Sequence, residues 1–173
     1  MHRITVVAGL LGAWVLGACS PVFNWREVRV PSTSLKALLP CKPDQAAREV
    51  PLLGQPVRLS VLGCETGGAT FAVMTADVVD AGRAGEALAQ WKLATLATLR
   101  GSAVDERAFL PSGGVALRES LRMSATGQRG DGRAVQAQAA YFARSRQVFH
   151  AVIYADRIDP TWADAFFTGL AFE

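Results

Sequence analysis

The chain reads as short alternating runs of apolar and polar residues, separated by turn residues and interrupted twice by the 3.6-residue period of a helix. Leu35 to Leu39 predicts a first core strand, broken by Pro40-Cys41-Lys42-Pro43-Asp44, and Arg48 to Leu53 predicts a second, with Leu53-Gly54-Gln55-Pro56 as its turn. Val57, Leu59 and Val61 alternate with Arg58 and Ser60, the pattern of a half-buried strand ending at Gly63-Cys64. Beyond Gly67-Gly68, the segment Thr70 to Ala76 puts Phe71 and Val73 on one face and Ala72 and Met74 on the other. The period then changes. From Ala84 to Leu99, the residues Leu88, Trp91, Leu96 and Leu99 fall in one stripe, with Asp80 as N-cap and Arg100-Gly101 as the stop.

The second half predicts a meander. Arg107 to Leu110 is a weak strand, and Pro111-Ser112-Gly113-Gly114 is a turn. Val115, Leu117, Leu121 and Met123 then alternate with Arg118, Ser120 and Arg122. Asp131-Gly132 marks a hairpin, because both residues tolerate positive φ. Val135 to Tyr141 alternates, and Val148 to Tyr154 is the strongest strand pattern of the chain. Asp159-Pro160 caps and opens a second helix, with Trp162 and Phe166 four apart on one face. The apolar tail Leu170-Ala171-Phe172-Glu173 is expected to dock, as an edge strand. The connections are too short for parallel crossovers, so the sheet is antiparallel. The expected fold is α+β: a curved antiparallel sheet covered by one long helix and a short C-terminal helix.

Ahead of all this stands a different pattern. Met1-His2-Arg3 supplies one fixed charge, Ile4 to Leu16 is a largely apolar run, and the small residues Gly17 and Ala18 precede Cys19. This is the layout of a secretory signal, and the run is short of the roughly 20 apolar residues that a spanning helix needs. Leu16-Gly17-Ala18-Cys19 resembles the lipobox of bacterial lipoproteins. That resemblance implies a cut before Cys19, acylation of Cys19, and attachment to the membrane through the acyl chains. Ser20, in place of the aspartate associated with inner-membrane retention, resembles the outer-membrane-directed class, which implies a periplasm-facing domain in the bacterial envelope. The division is then a signal peptide at 1–18, an acylated N-terminus and short tether at 19–33, and a single domain at 34–173. Phe23 and Trp25 in the tether can rest at lipid headgroups or pack on the domain, and packing is the expectation.

Composition changes this picture little. The 173 residues are half apolar and 19% charged, an ordinary globular balance. The net charge of +3 falls by one when Arg3 leaves with the signal, and no basic run is interleaved with aromatics, so nucleic acid is not an expected partner. Cys41 and Cys64 remain as an even pair in an oxidising compartment, where a structural disulfide is the default. A metal site is the alternative, but one histidine leaves too few soft ligands for zinc of the usual kind. No cofactor or metal is expected.

The order of elements resembles the PsbP/Mog1-like sandwich, through Leu39-Pro40-Cys41-Lys42-Pro43 opening the domain, the Leu88 to Leu99 helix, and Phe166-Phe167-Thr168-Gly169-Leu170-Ala171-Phe172 closing it. Members of that fold act largely as binding or assembly factors, which is what the resemblance implies here.

Residues that carry chemistry are sparse. His150 is the only histidine after the signal and stands in the strongest strand, where packing or hydrogen bonding is expected before catalysis. The carboxylate pairs Asp77 with Asp80, Asp105 with Glu106, and Asp156 with Asp159 stand at element ends, where capping accounts for them. Residues 100 to 157 hold nine arginines against five acidic residues. Within that region Arg118 and Arg122 on one strand, with Gln136 and Gln138 on the next, form a candidate binding face for phosphate or carboxylate groups. The expected role is non-catalytic binding of an envelope protein or component. A carrier of a small or lipidic ligand in the sheet face is the alternative, and a hydrolase-type enzyme comes third.

Overall fold

The computed structural model describes residues 22–173, so the signal and Cys19 lie outside the described residues. The strand β1 (Arg26–Arg29) opens the chain, followed by β2 (Leu35–Leu39), β3 (Asp44–Leu52), β4 (Gln55–Thr66) and β5 (Ala69–Asp77). A short 3-10 turn leads into α1 (Ala84–Leu99), and then come β6 (Ser102–Ala108), β7 (Leu121–Gln128), β8 (Ala134–Arg144), β9 (Gln147–Ala155), α2 (Pro160–Thr168) and β10 (Ala171–Phe172). The fold is α+β, with every strand pair antiparallel apart from one isolated bridge at Ser112.

Two sheets form. The large one has the order β3-β4-β5-β9-β8-β7-β6, and the small one β1-β2-β10. Alternation along the central strands divides the core. Phe71, Val73, Phe142, Phe149 and Ile153 face the small sheet and α2, while Ala72, Ala76, Ala139, Tyr141, Val148 and Val152 face α1. Large rings therefore fill one side: Phe142 stacks on Phe149 at 5.2 Å, and Phe172 of β10 meets both edge-on. Mostly smaller side chains line the other, where α1 lays down Ala84, Ala87, Leu88, Thr95 and Leu99.

Three expectations need correction. The tether does not reach residue 33: Val28 pairs with Ala37, and β1 completes the small sheet, so the folded part takes in residues assigned to the tether. As expected, the rings of Phe23 and Trp25 pack on the domain, with Phe23 4.9 Å from Trp162 and Trp25 6.0 Å from Phe71. The strand expected from Val115 begins only at Leu121, because Ser120 N–H bonds the Leu117 carbonyl at 3.1 Å and turns the chain there. The weak strand expected at 107–110 instead spans β6, earlier in the chain, and ends at Ala108.

Cys41 and Cys64 are joined, their Sγ atoms 2.08 Å apart, linking the turn after β2 to the end of β4. Asp80 accepts from Gly82 N–H at 2.8 Å and so caps the 3-10 turn ahead of α1, whose own N-cap Arg83 makes no side-chain bond, while Asp159 accepts from Thr161 N–H at 2.7 Å as the N-cap of α2. The stop of α1 divides its work between two residues. Arg100 takes the left-handed conformation, φ 46°, that glycine favours, while Gly101 is fixed by space, since a Cβ there would drive into the Thr126 carbonyl oxygen.

That division gives a paired prediction. Arg100→Gly should raise the unfolding free energy by about 1 kcal/mol, since a Cβ strains this conformation. Gly101→Ala should lower it. Urea unfolding of both variants checks the assignment, and two changes of the same sign would contradict it.

Candidate functional site

The seven-stranded sheet is wider than one helix can cover. Element α1 packs on β7, β8 and β9 and leaves β4 and β5 beside it. The β3–β4 hairpin folds over from the edge toward the helix, and Leu53 N–H at its tip donates to Gln90 Oε1 at 2.8 Å. Between them runs a groove of about 310 Å³. Gln90, Trp91, Ala94, Thr95 and Thr98 of α1 form one wall, and Arg48, Val50, Pro51 and Leu52 form the other. Leu59, Met74, Ala76, His150 and Tyr154 make the floor. The volume stands at the lower end of the range for small-molecule sites, and is about twice that of a cavity of roughly 150 Å³ that takes up benzene.

His150 is the one imidazole among these walls. Met74 and Tyr141 are its partners across β5 and β8, which fixes its ring on the α1 side. Tyr141 stacks on it at 4.6 Å and Trp91 meets it edge-on at 5.4 Å. The side chain is 1% exposed, and neither Nδ1 nor Nε2 has a protein hydrogen-bond partner. Burial with no compensating charge pulls its pKa down to about 3, so the ring is neutral at physiological pH. Burial also pushes the Tyr154 hydroxyl up to about 12 and the Tyr141 hydroxyl above its ordinary range. No carboxylate orients the imidazole and no hydroxyl receives its proton, so the arrangement has no acid–base relay through His150. What it offers is a largely apolar slot, with Arg48, Gln90, Thr95 and Thr98 as the polar side chains of its walls.

The face expected from Arg118, Arg122, Gln136 and Gln138 comes together only in part. Arg118 is exposed in the turn before β7, away from the strand that carries Arg122. Arg122, Gln136 and Gln138 share the α2 side, but their polar groups bond within the protein. Arg122 donates to Gln138 Oε1 at 2.5 Å and Asp164 Oδ1 at 3.3 Å, and lies 4.1 Å over the Phe167 ring. Gln136 Oε1 accepts from Ile158 N–H at 2.8 Å. Burial and the neighbouring Arg107 together pull the Arg122 guanidinium below its usual range.

The carboxylate pairs are dispersed in the same way. Asp80 and Asp159 are caps, Glu106 holds Lys92 at 3.0 Å, and Asp156 holds Arg129 at 3.2 Å. Two larger clefts, of about 370 and 510 Å³, lie along the outer strands β3 and β4 and hold no buried polar group without a partner, and a smaller one of about 240 Å³ brings Arg122 and Gln138 of the expected face together with Arg107 and Asp164. Among the described residues no group of three or more His, Cys, Asp or Glu is placed to hold a metal, and no helix is long and apolar enough to cross a membrane.

Comparison with known proteins places the chain in no family: no family model matches the sequence, and no curated protein matches it. Solved structures do match in shape. One is the crystal structure of a protein of unknown function, PA94 from Pseudomonas aeruginosa, 11% identical over 82% of this chain and 93% of that chain, with a TM-score of 0.35.

The state of His150 can be measured through stability. Its ordinary pKa of 6.5 holds in the unfolded chain, and the folded value is depressed, so the unfolded state binds the extra proton in between. The contribution is fully present above pH 6.5 and is lost as pH falls toward about 3. His150→Phe keeps the stack on Tyr141 and removes both nitrogens. It should raise stability at neutral pH by about 1 kcal/mol, since buried polar atoms without protein partners are removed. The gain should widen as the pH falls from 6.5 to 4. Urea unfolding at several pH values tests this, and an equal effect at all of them would show that the imidazole titrates normally.

Proposed function

We propose that this chain is a lipid-anchored protein of the bacterial outer membrane whose periplasm-facing domain binds a small, largely apolar ligand in the groove between α1 and the β3–β4 hairpin. The observation that carries the binding half is the groove itself: a slot of ligand size walled by Trp91, Leu52, Leu59 and Met74. The anchoring half rests on Leu16-Gly17-Ala18-Cys19 following an apolar run. One acyl chain gives only marginal membrane binding, and several chains make it durable. The neutral, relay-free His150 speaks for binding over turnover. We also assign the domain to the PsbP/Mog1-like sandwich, on the order of its elements.

A protein partner is the other binding reading, and strand addition at the sheet edges would be its simplest form. Both edges of the large sheet carry features that oppose it, and the small sheet ends in β1, four residues of which three are charged, and in β10, two residues long. The β3 edge holds Pro51 with Asp44, Arg48 and Glu49, and the β6 edge is bulged between Ala103 and Asp105 and carries Asp105, Glu106 and Arg107. Small-ligand binding therefore has the better support.

Each half has its own test. Cys19→Ala should move the protein out of the membrane fraction or leave it uncut, and an unchanged outer-membrane fraction would remove the anchor. For the groove, the fluorescent probe N-phenylnaphthylamine should bind the wild type and brighten. Ala94→Trp, which adds bulk on an exposed turn of α1 without touching the core, should weaken that binding at least tenfold. Equal binding by both proteins, or none by the wild type, would overturn the groove as the site.

A further inference from the structure

The anchor and the fold together restrict how the domain can stand on a bilayer. The described chain begins at Val22, three residues from Cys19, and three residues span at most about 11 Å when fully extended. Whatever part of the domain holds Val22 must therefore lie within about that distance of an acylated Cys19. Val22 is held firmly: its carbonyl accepts from Thr66 Oγ1 at 2.7 Å, beside the turn between β4 and β5.

The antiparallel order fixes what else is at that end. Ala69 of β5 pairs with Ala155 of β9, and Ala155 with Gln136 near the start of β8, so the turn at Thr66–Gly68, the loop 156–159 and the start of α2 share one end of the sheet. Phe23 ties the N-terminus to it through Trp162, 4.9 Å away, and to Phe71. Asn24 N–H bonds the Pro40 carbonyl at 2.8 Å, which brings Lys42 to the same end.

The chemistry of this end suits a lipid surface. Val22 is 63% exposed, and Phe23 and Trp162 are half-buried rings with one side open. Such rings are favoured at the depth of lipid headgroups. Lys42 and Arg157 are exposed and have no ion-pair partner among the described residues, and although the exposed Asp44 and Glu65 share this end, the two cations are free to meet individual phosphates.

We infer that the β4–β5 turn end is a membrane seat, on which Val22, Phe23 and Trp162 rest among anionic headgroups while Lys42 and Arg157 contact lipid phosphates. This rests on the anchoring proposed above. It orients the molecule. Strand β5 runs nine residues away from the seat, roughly 30 Å at the usual rise, and the hairpin tip at Leu53 and the Gln90 end of the groove lie toward the far end.

Photocrosslinking of the full chain in its own membranes decides it. A photoreactive residue is placed at Trp162 or at Arg157, both distant in sequence from Cys19, and as a control at Val79, which is 77% exposed just past the far end of β5. Lipid adducts read by mass spectrometry should be at least fivefold more abundant at the two seat positions than at Val79. Equal yields at all three, or no lipid adduct at Trp162 and Arg157 in membrane-bound protein, would overturn the seat. A second arm uses the exposed pair alone: Lys42→Glu with Arg157→Glu should cut the Trp162 adduct at least twofold without altering the fold. The mass of the N-terminal peptide is read in the same sample. A peptide without acyl chains would fail the anchoring reading, while adducts at Trp162 would still decide whether this face meets lipid.

Discussion

Everything in this fold follows from the need to keep both faces of three strands dry. Along β9 every residue from Val148 to Ile153 is buried, and β5 and β8 flank it nearly as deeply. An antiparallel sheet can leave one face to water, but this one cannot, because apolar side chains point both ways from its centre. The two covers differ because the two faces differ. Phenylalanines at 71, 142 and 149 need a rough, ring-filled partner, supplied by Leu35, Leu39, Phe166, Phe167 and Phe172. Alanines at 72, 137, 139 and 143 let a helix lie close. One helix, however, is about 10 Å across, and seven strands at about 4.8 Å are roughly three times as wide. The groove is the strip of face that α1 does not reach.

The links between layers gather at the opposite end. The Cys41–Cys64 bond joins the turn after β2 to the end of β4, the Thr66 hydroxyl donates to the Val22 carbonyl, and the Phe23 ring touches both Phe71 of β5 and Trp162 of α2. At the far end the β3–β4 hairpin is secured to α1 by one backbone hydrogen bond from Leu53, which sits at a positive φ of 54°, and by packing of Leu52 and Leu59 in the core that α1 covers. One end of the domain is braced by a covalent bond, and the other by packing and one hydrogen bond.

Much of this was legible in the sequence, and the part that was not has a common physical origin. The bounds of α1 followed from the change of period, the caps Asp80 and Asp159 from residue type, and the cysteine pair from compartment and parity. The docking of the tail as β10 followed from its apolar content. Local chemistry determines each of these. The strand expected at Val115 failed because alternation there is real but the chain turns at Leu117–Ser120, and only one isolated bridge, Val115 to Ala143, survives of the pairing. The groove was illegible. His150 stood out as a lone histidine in an apolar strand and Trp91 as the large member of the helical stripe, but their meeting depends on the register of β9 against β5 and on the hairpin reaching α1. Neither is encoded within a few residues.

Two of the buried polar side chains, one on each face of the sheet, are accommodated in opposite ways. Arg122 is a charge under α2, and the protein answers it completely, with a carboxylate, an amide oxygen and an aromatic face. A cation left without those partners would be far more costly than a neutral ring, so its surroundings were bound to supply them. His150 is as deeply buried, yet the protein surrounds it with rings and gives its nitrogens nothing. The same sheet therefore satisfies one polar side chain and leaves the other. A phenylalanine would pack in the His150 position without that penalty, and the Thr75 and Tyr141 hydroxyls are buried without a partner in the same way. The imidazole nitrogens are sealed under the Trp91 and Tyr141 rings, closed off from the groove as well as from protein partners, so what lies behind the groove here is packed ring surface.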